Sequence, residues 1–133
     1  MRTRLEALSA YLVLTDVARS DLHRYWNEHL GVDRGRGRGA EPEFFARIAL
    51  WYSTLWVVAE GWLDLNIRDQ HLDALLTPER QELLRRFRNK TFHAQQTWPH
   101  PHLLAYVDSD DSVAWSYALE TALRSSIDRA LGA

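Results

Sequence analysis

The pattern of hydrophobic and polar positions predicts a chain of helices, because apolar residues recur three or four positions apart through most of its length. The first segment runs from about Thr3 to Leu30, where we expect Thr3 to cap a helix that Gly31 ends. The residues at helical spacing, which we expect to form its buried face, are Tyr11, Leu14, Ala18, Leu22, Tyr25 and His29. The segment therefore predicts an amphipathic helix on the outside of a bundle.

Residues 31–41 interrupt the helical pattern, since four glycines alternate there with charged residues. We expect a loop in this stretch. Its Arg34, Arg36 and Arg38 suit contact with phosphate, as in the arginine–glycine segments of RNA-binding proteins. The same composition also describes a solvated linker between two helices, and the sequence leaves both interpretations open.

The second predicted helix, from Pro42 to about Ile67, is apolar on almost every side. Such a helix must be surrounded by protein, and one face toward a bundle core does not cover it. We therefore expect a second subunit to cover the remainder. Glu60 interrupts the apolar run, either as a charge at the rim or as a buried, paired one.

The rest of the chain adds a short helix at about Asp69–Leu76 and a third main helix that begins at Thr77-Pro78-Glu79. Two prolines end that helix by residues 98–101, and a last helix runs from 109–112 to about Leu131, where we expect Gly132 to end it. The sequence thus predicts an all-α fold, an up-and-down bundle of four main helices with short helical connectors. We expect a single domain over residues 1–133.

The composition of the chain excludes several classes of site and of protein. The chain has no cysteine, which excludes disulfides and thiolate metal sites, and its net charge of −2 is not that of a polycation. It contains no uncharged apolar stretch near twenty residues and no signal-peptide core, so we expect a soluble, cytoplasmic protein without a membrane segment. His100 and His102 flank a proline, but no carboxylate is placed beside them by pattern, and we expect no metal and no cofactor.

A basic cluster carries the candidate chemistry. Arg85, Arg86, Arg88 and Lys90 place four cations within six residues, and no acidic residue interrupts them. Such a cluster binds phosphate, and His93 supplies a side chain that exchanges protons near neutral pH. A cation and an imidazole suffice to cleave RNA without a metal, because the ribose 2′-hydroxyl attacks its own phosphate.

The segment Arg88-Asn89-Lys-Thr-Phe-His93 resembles the Arg-x4–6-His motif of the HEPN superfamily, including the polar residue that commonly follows the arginine. The stretch 57–62, Val-Val-Ala-Glu-Gly-Trp, is also similar to bacterial HEPN-type proteins. The resemblance implies a helical-bundle homodimer and a metal-independent endoribonuclease of toxin–antitoxin or defence systems. It implies that Arg88 stabilises phosphate charge, His93 acts as acid and base, and Asn89 positions them. Arg85, Arg86 and Lys90 are then RNA-binding residues, and an antitoxin is a possible partner.

Two further hypotheses compete with this one. The first is a non-catalytic HEPN-like dimeric module that binds a protein, a nucleotide or a nucleic acid through the same cleft. The second is a structural dimer that presents an aromatic surface to a neighbour, since the chain has six tryptophans. Arg24 and His29 have the same spacing as the motif, but Tyr25 rather than a polar residue follows that arginine. On a continuous helix, residues five apart point about 140° away from each other, so the motif also predicts a helix break or a long reach by Arg88.

Overall fold

The computed structural model describes residues 1–29, 41–109 and 111–132, and all regular structure in these ranges is helical. The helices are α1 (Arg2–His29), α2 (Pro42–Asp64), α3 (Gln70–Leu75), α4 (Pro78–Thr91), α5 (Pro101–Val107) and α6 (Ser112–Leu131). The predicted all-α class is confirmed. The predicted loop arginines Arg34, Arg36 and Arg38 and the predicted stop at Gly31 lie outside the described residues.

The predicted buried face of α1 is right only in part, since Leu22 is buried and Ala18 and Tyr25 pack against the core. The residues of α1 that are buried are Leu5, Leu8, Leu12, Thr15, Leu22 and Trp26. Tyr11 and Leu14 are 46% and 53% exposed, and the helix begins at Arg2, so Thr3 lies inside it rather than capping it. The reason is that α1 carries two apolar stripes on different sides, and periodicity alone does not tell which of them meets the core.

The core forms around α2, which contacts α1, α4, α5 and α6. Phe45, Ile48, Trp51, Tyr52 and Leu55 on this helix are fully buried. Helices of the same chain thus cover the apolar sides of α2, and burying them does not require the second subunit that the sequence pattern predicted. No helix in the described ranges is long and apolar enough to cross a lipid bilayer.

Gly61 explains how α1 and α2 approach each other. A Cβ at this position would lie 2.4 Å from Cδ2 of Leu8, a distance that real contacts do not reach. The missing side chain lets the buried Leu8 of α1 pack directly on the α2 backbone. Three residues later α2 ends at Asp64, earlier than the predicted Ile67, and Asn66 adopts a left-handed φ of 57°.

Most helix ends follow the predicted signals. The Thr77 hydroxyl accepts a hydrogen bond from the Arg80 N–H at 3.3 Å, and Gly132 ends α6 with a φ of 80°. Two details differ. Asp111 precedes α6 without a side-chain cap, because its carboxylate bonds Arg80 at 2.8 Å. Helix α4 ends at Thr91, well before the two prolines that were expected to end it, and Pro101 instead opens the short helix α5, since proline suits a first helical turn.

A buried carboxylate ties three helices together. Glu120 of α6 accepts hydrogen bonds from Nε of Arg19 in α1 at 2.6 Å and from Nε1 of Trp51 in α2 at 2.8 Å. Burial raises the pKa of Glu120, while its two donors act in the opposite direction. The network fixes the relative positions of α1, α2 and α6.

Candidate functional site

Helix α4 separates an apolar side from a basic one. Leu84 and Phe87 are buried against the core. Arg85, Arg86 and Lys90 lie about 90° or more around the helix axis from the middle of this apolar side, because successive residues of an α-helix are rotated by about 100°. Because Leu84 and Phe87 face the core, the basic residues next to them in the sequence face the surface.

The basic face of α4 forms one wall of a cleft, and the chain around the start of α5 forms the other. The cleft has a volume of about 410 Å³. We call it the α4–α5 cleft; its lining residues are Glu82, Arg85, Arg86, Asn89, Lys90, His100 and His102. Asn89 of the motif thus lies together with three predicted RNA-binding residues and two histidines whose role the sequence left open.

The charges in the α4–α5 cleft are only partly compensated. Glu82 accepts hydrogen bonds from Arg85 at 2.7–3.0 Å and from Nε of Arg86 at 3.1 Å. Its contacts with Arg85 and Arg86 hold the pKa of Glu82 below its usual value, so it stays ionised. Lys90 forms no ion pair with any residue of the described ranges. Three cations facing one carboxylate leave the cleft positive.

His100 has a defined hydrogen-bonding state. Its Nδ1 accepts the backbone N–H of His102 at 3.3 Å, and the two imidazole rings stack with centroids 5.5 Å apart. Partial burial, followed by the charges of Lys90, His102 and Arg86, holds the pKa of His100 below its usual value. A neutral imidazole whose Nδ1 accepts a hydrogen bond carries its proton on Nε2, which is then a donor.

The other two motif residues lie elsewhere. Arg88 points toward α2, where its guanidinium is 4.0 Å from the carboxylate of Glu60, with exposed side-chain fractions of 40% and 46%. Helix α4 ends at Thr91, so His93 follows the predicted helix break; it is exposed, and its carbonyl accepts a hydrogen bond from Gln95 at 2.7 Å. Neither Arg88 nor His93 lines the α4–α5 cleft.

The structure adds residues that sequence reasoning did not assign. His100 and His102 join the basic face because the chain turns back after α4, and no short-range pattern signals that return. Two large aromatic side chains, Phe92 and Trp98, are 61% and 41% exposed in the same connection. Trp98 also packs edge-on against Phe45 of α2, with ring centroids 4.9 Å apart, which anchors the connection to the core.

A second concave region, near α3 and the end of α6, is less suited to an anion. It contains Arg68, His71 and Arg129, but Arg129 donates a hydrogen bond to Asp69 at 3.2 Å. Within the described ranges, no group of three or more histidine, aspartate or glutamate side chains is arranged to hold a metal ion. The α4–α5 cleft and the adjoining motif therefore form the candidate site.

No protein-family profile, curated protein or solved structure matches this chain.

Proposed function

We propose that this protein is a HEPN-like, metal-independent endoribonuclease, acting in the cytoplasm as a toxin or defence effector. The observation that carries the proposal is that Arg88 and His93 both keep accessible side chains at the end of a basic helix. Residues that served only a structural network would be buried and fully paired. The cations of α4 supply the attraction that a polyanionic substrate requires.

The proposed reaction is transesterification within the RNA. The 2′-oxygen bonds to the adjacent phosphorus and the bond to the 5′-oxygen breaks, leaving a 2′,3′-cyclic phosphate and a 5′-hydroxyl. His93 accepts the 2′-hydroxyl proton and, once protonated, donates to the leaving 5′-oxygen. Arg88 stabilises the charge on the pentavalent phosphorus, and Asn89 positions the phosphate from the cleft side.

We further propose an up-and-down HEPN-like bundle that forms a homodimer, in which two copies of the motif share one groove. The outer stripe of α1 offers the apolar surface for this contact, since Tyr11, Val13, Leu14 and Val17 are all exposed. Clusters of exposed apolar side chains on one helix are typical of interaction sites. This stripe replaces α2 as the surface that a partner copy would cover.

The second candidate is a non-catalytic module that binds RNA, a nucleotide or a protein such as an antitoxin through the same basic face. The observation that favours it is that the motif residues do not share one surface: Asn89 lines the α4–α5 cleft, whereas Arg88 contacts Glu60 of α2. In this case the cleft binds its ligand and no bond is broken.

The two candidates are separated by incubating the purified protein with mixed RNA in EDTA. We expect cleavage by the wild type and none by the Arg88→Ala/His93→Ala double variant. The matched control is Arg24→Ala/His29→Ala, which removes the same two residue types at the same spacing from α1. If both double variants still cleave RNA, the proposed site is contradicted. If none of the three proteins cleaves RNA, the result favours the binding module.

A further inference from the structure

The α4–α5 cleft combines charge and hydrogen-bond donors of several kinds on one surface. Lys90 is a cation without an ion-pair partner in the described ranges, and Arg86 adds a second positive charge whose Nε is paired with Glu82 at 3.1 Å. Asn89 contributes an amide, and His100 directs its free Nε2 away from the bond that its Nδ1 accepts. Each of these groups except the amide oxygen is a donor or a cation, and a phosphate group is an acceptor with negative charge.

We propose that the α4–α5 cleft is a phosphate-binding site for single-stranded RNA, in which Lys90 and Arg86 neutralise a backbone phosphate and Nε2–H of His100 donates to it. The proposal deepens the proposed function and rests on it for the class of ligand. It assigns His100 a binding role beside the motif, while the bond-breaking step stays with Arg88 and His93.

The neutral state of His100 fits binding better than proton transfer. Protonation of Nδ1 requires loss of the hydrogen bond from His102, and the nearby cations of Lys90 and Arg86 oppose a further positive charge. A neutral donor nevertheless stabilises an anion, and it does so over a wide range of pH. When a phosphate enters, its charge offsets the two cations, so the pKa of His100 rises.

Two exposed aromatic residues favour RNA over a free phosphate as the ligand. Phe92 lies two residues after Lys90, and Trp98 lies two residues before His100, and both expose large parts of their rings. Single-stranded nucleic acids are bound by surfaces that combine cations for the backbone with aromatic rings for the bases. Lys90 of α4 and these two aromatic residues lie within nine consecutive residues of the chain.

The test measures binding without cleavage. A labelled 2′-O-methyl oligoribonucleotide, which has no free 2′-hydroxyl to attack, is titrated with the protein in EDTA and followed by fluorescence anisotropy. The variants are Lys90→Gln and His100→Ser, because serine retains the cap of α5 while removing the imidazole. The matched controls are Arg68→Gln and His71→Ser, which remove the same kinds of group near α3.

We expect Lys90→Gln and His100→Ser to weaken binding about five- to tenfold each, and the controls to stay within about twofold of wild type. Loss of one phosphate contact in Lys90→Gln makes the slope of log affinity against log salt shallower by about 0.7. Affinities and salt slopes that equal the wild-type values in both cleft variants overturn the proposal. So does a wild-type protein that does not bind the oligonucleotide.

A second readout uses inorganic phosphate and the NMR titration of His100. The groups that face this imidazole are Glu82, Arg85, Arg86 and Lys90 from α4 and His102 from α5. Saturating phosphate is expected to raise the pKa of His100. An unchanged pKa of His100 contradicts the site. If the oligonucleotide binds through the cleft but natural RNA is not cleaved, the phosphate site is supported and the proposed ribonuclease is refuted. If the wild type cleaves RNA but the cleft variants bind the oligonucleotide as tightly as the wild type, the ribonuclease is supported and the phosphate site is refuted.

Discussion

The guanidinium of Arg88 lies 4.0 Å from the carboxylate of Glu60, and water reaches both groups. An ion pair this long and this solvated contributes little to stability. It places Arg88 beside the surface of α2. Glu60, whose role the sequence left open, is therefore a partner of the motif arginine rather than a buried charge.

Replacement of this carboxylate is expected to change binding more than folding. Glu60→Gln should alter the free energy of unfolding by less than about 0.5 kcal/mol, because the pair is exposed. RNA should bind about two- to threefold more tightly, since a negative charge beside Arg88 is removed. Denaturant unfolding and anisotropy with an uncleavable oligonucleotide measure the two quantities. Glu43→Gln, on the same helix, is the control, and a weaker affinity in Glu60→Gln alone contradicts the assignment.

The buried network around Glu120 is expected to matter for stability. Glu120→Ala leaves the guanidinium of Arg19 and the indole N–H of Trp51 without their acceptor. We expect it to lower the free energy of unfolding by about 3 kcal/mol. Glu120→Gln keeps one acceptor oxygen and should cost about 1 kcal/mol. Denaturant unfolding checks both, with the exposed Glu79→Ala as reference; equal losses in Glu120→Ala and Glu79→Ala refute the network.

Asp69 makes stability depend on pH. It accepts hydrogen bonds from the Ser126 hydroxyl at 2.5 Å and from the Leu72 N–H at 3.0 Å, and these bonds hold its pKa below the ordinary value of 3.8. A lowered folded-state pKa means that the stabilisation is fully present above 3.8 and is lost as the pH falls through the folded-state value.

We therefore expect Asp69→Asn to lower the free energy of unfolding by about 1–2 kcal/mol at pH 7. The difference in the free energy of unfolding between the wild type and this variant should shrink as the pH falls below 3.8. Unfolding curves at a series of pH values test this, with Asp73→Asn on the same short helix as control. A gap that stays constant down to the lowest pH shows that the carboxylate charge is not what stabilises α3.

The outer stripe of α1 is expected to govern self-association. Leu14→Glu and Val17→Glu change exposed side chains, so the unfolding free energy should move by less than about 0.5 kcal/mol. Sedimentation velocity should show the wild type at twice the chain mass of 15.5 kDa and both variants at that mass. Asn27→Glu on α1 should sediment like the wild type. A wild-type monomer, or variants that remain dimeric, excludes this surface.

The sequence predicted the elements that depend on local chemistry. Thr77 and Pro78 start α4 as expected, and Gly132 ends α6, because caps and prolines act within one turn. The buried side of α1 was not predictable in the same way. Tyr11 and Leu14 have the right spacing for a core face, yet Leu8 and Leu12 are the residues that are buried, since neighbours far along the chain decide which stripe is covered.

The candidate site was predictable only in part. The cations of α4 could be found because they are adjacent in sequence, and Asn89 and Lys90 do lie in one cleft with Arg86. His100 could not be found, because its place beside Lys90 depends on the return of the chain through Trp98 and Pro99. The catalytic roles of Arg88 and His93 stay a prediction that chemistry on the purified protein must test.

The most direct measurement is the single-turnover rate of RNA cleavage in EDTA by the wild type and by His93→Ala, with thermal unfolding to verify that both are folded. We predict 2′,3′-cyclic phosphate ends from the wild type and a rate at least about a hundredfold lower in the variant, the usual contribution of a general acid–base group. Equal rates from two folded proteins would contradict the role of His93 and, with it, the proposed ribonuclease.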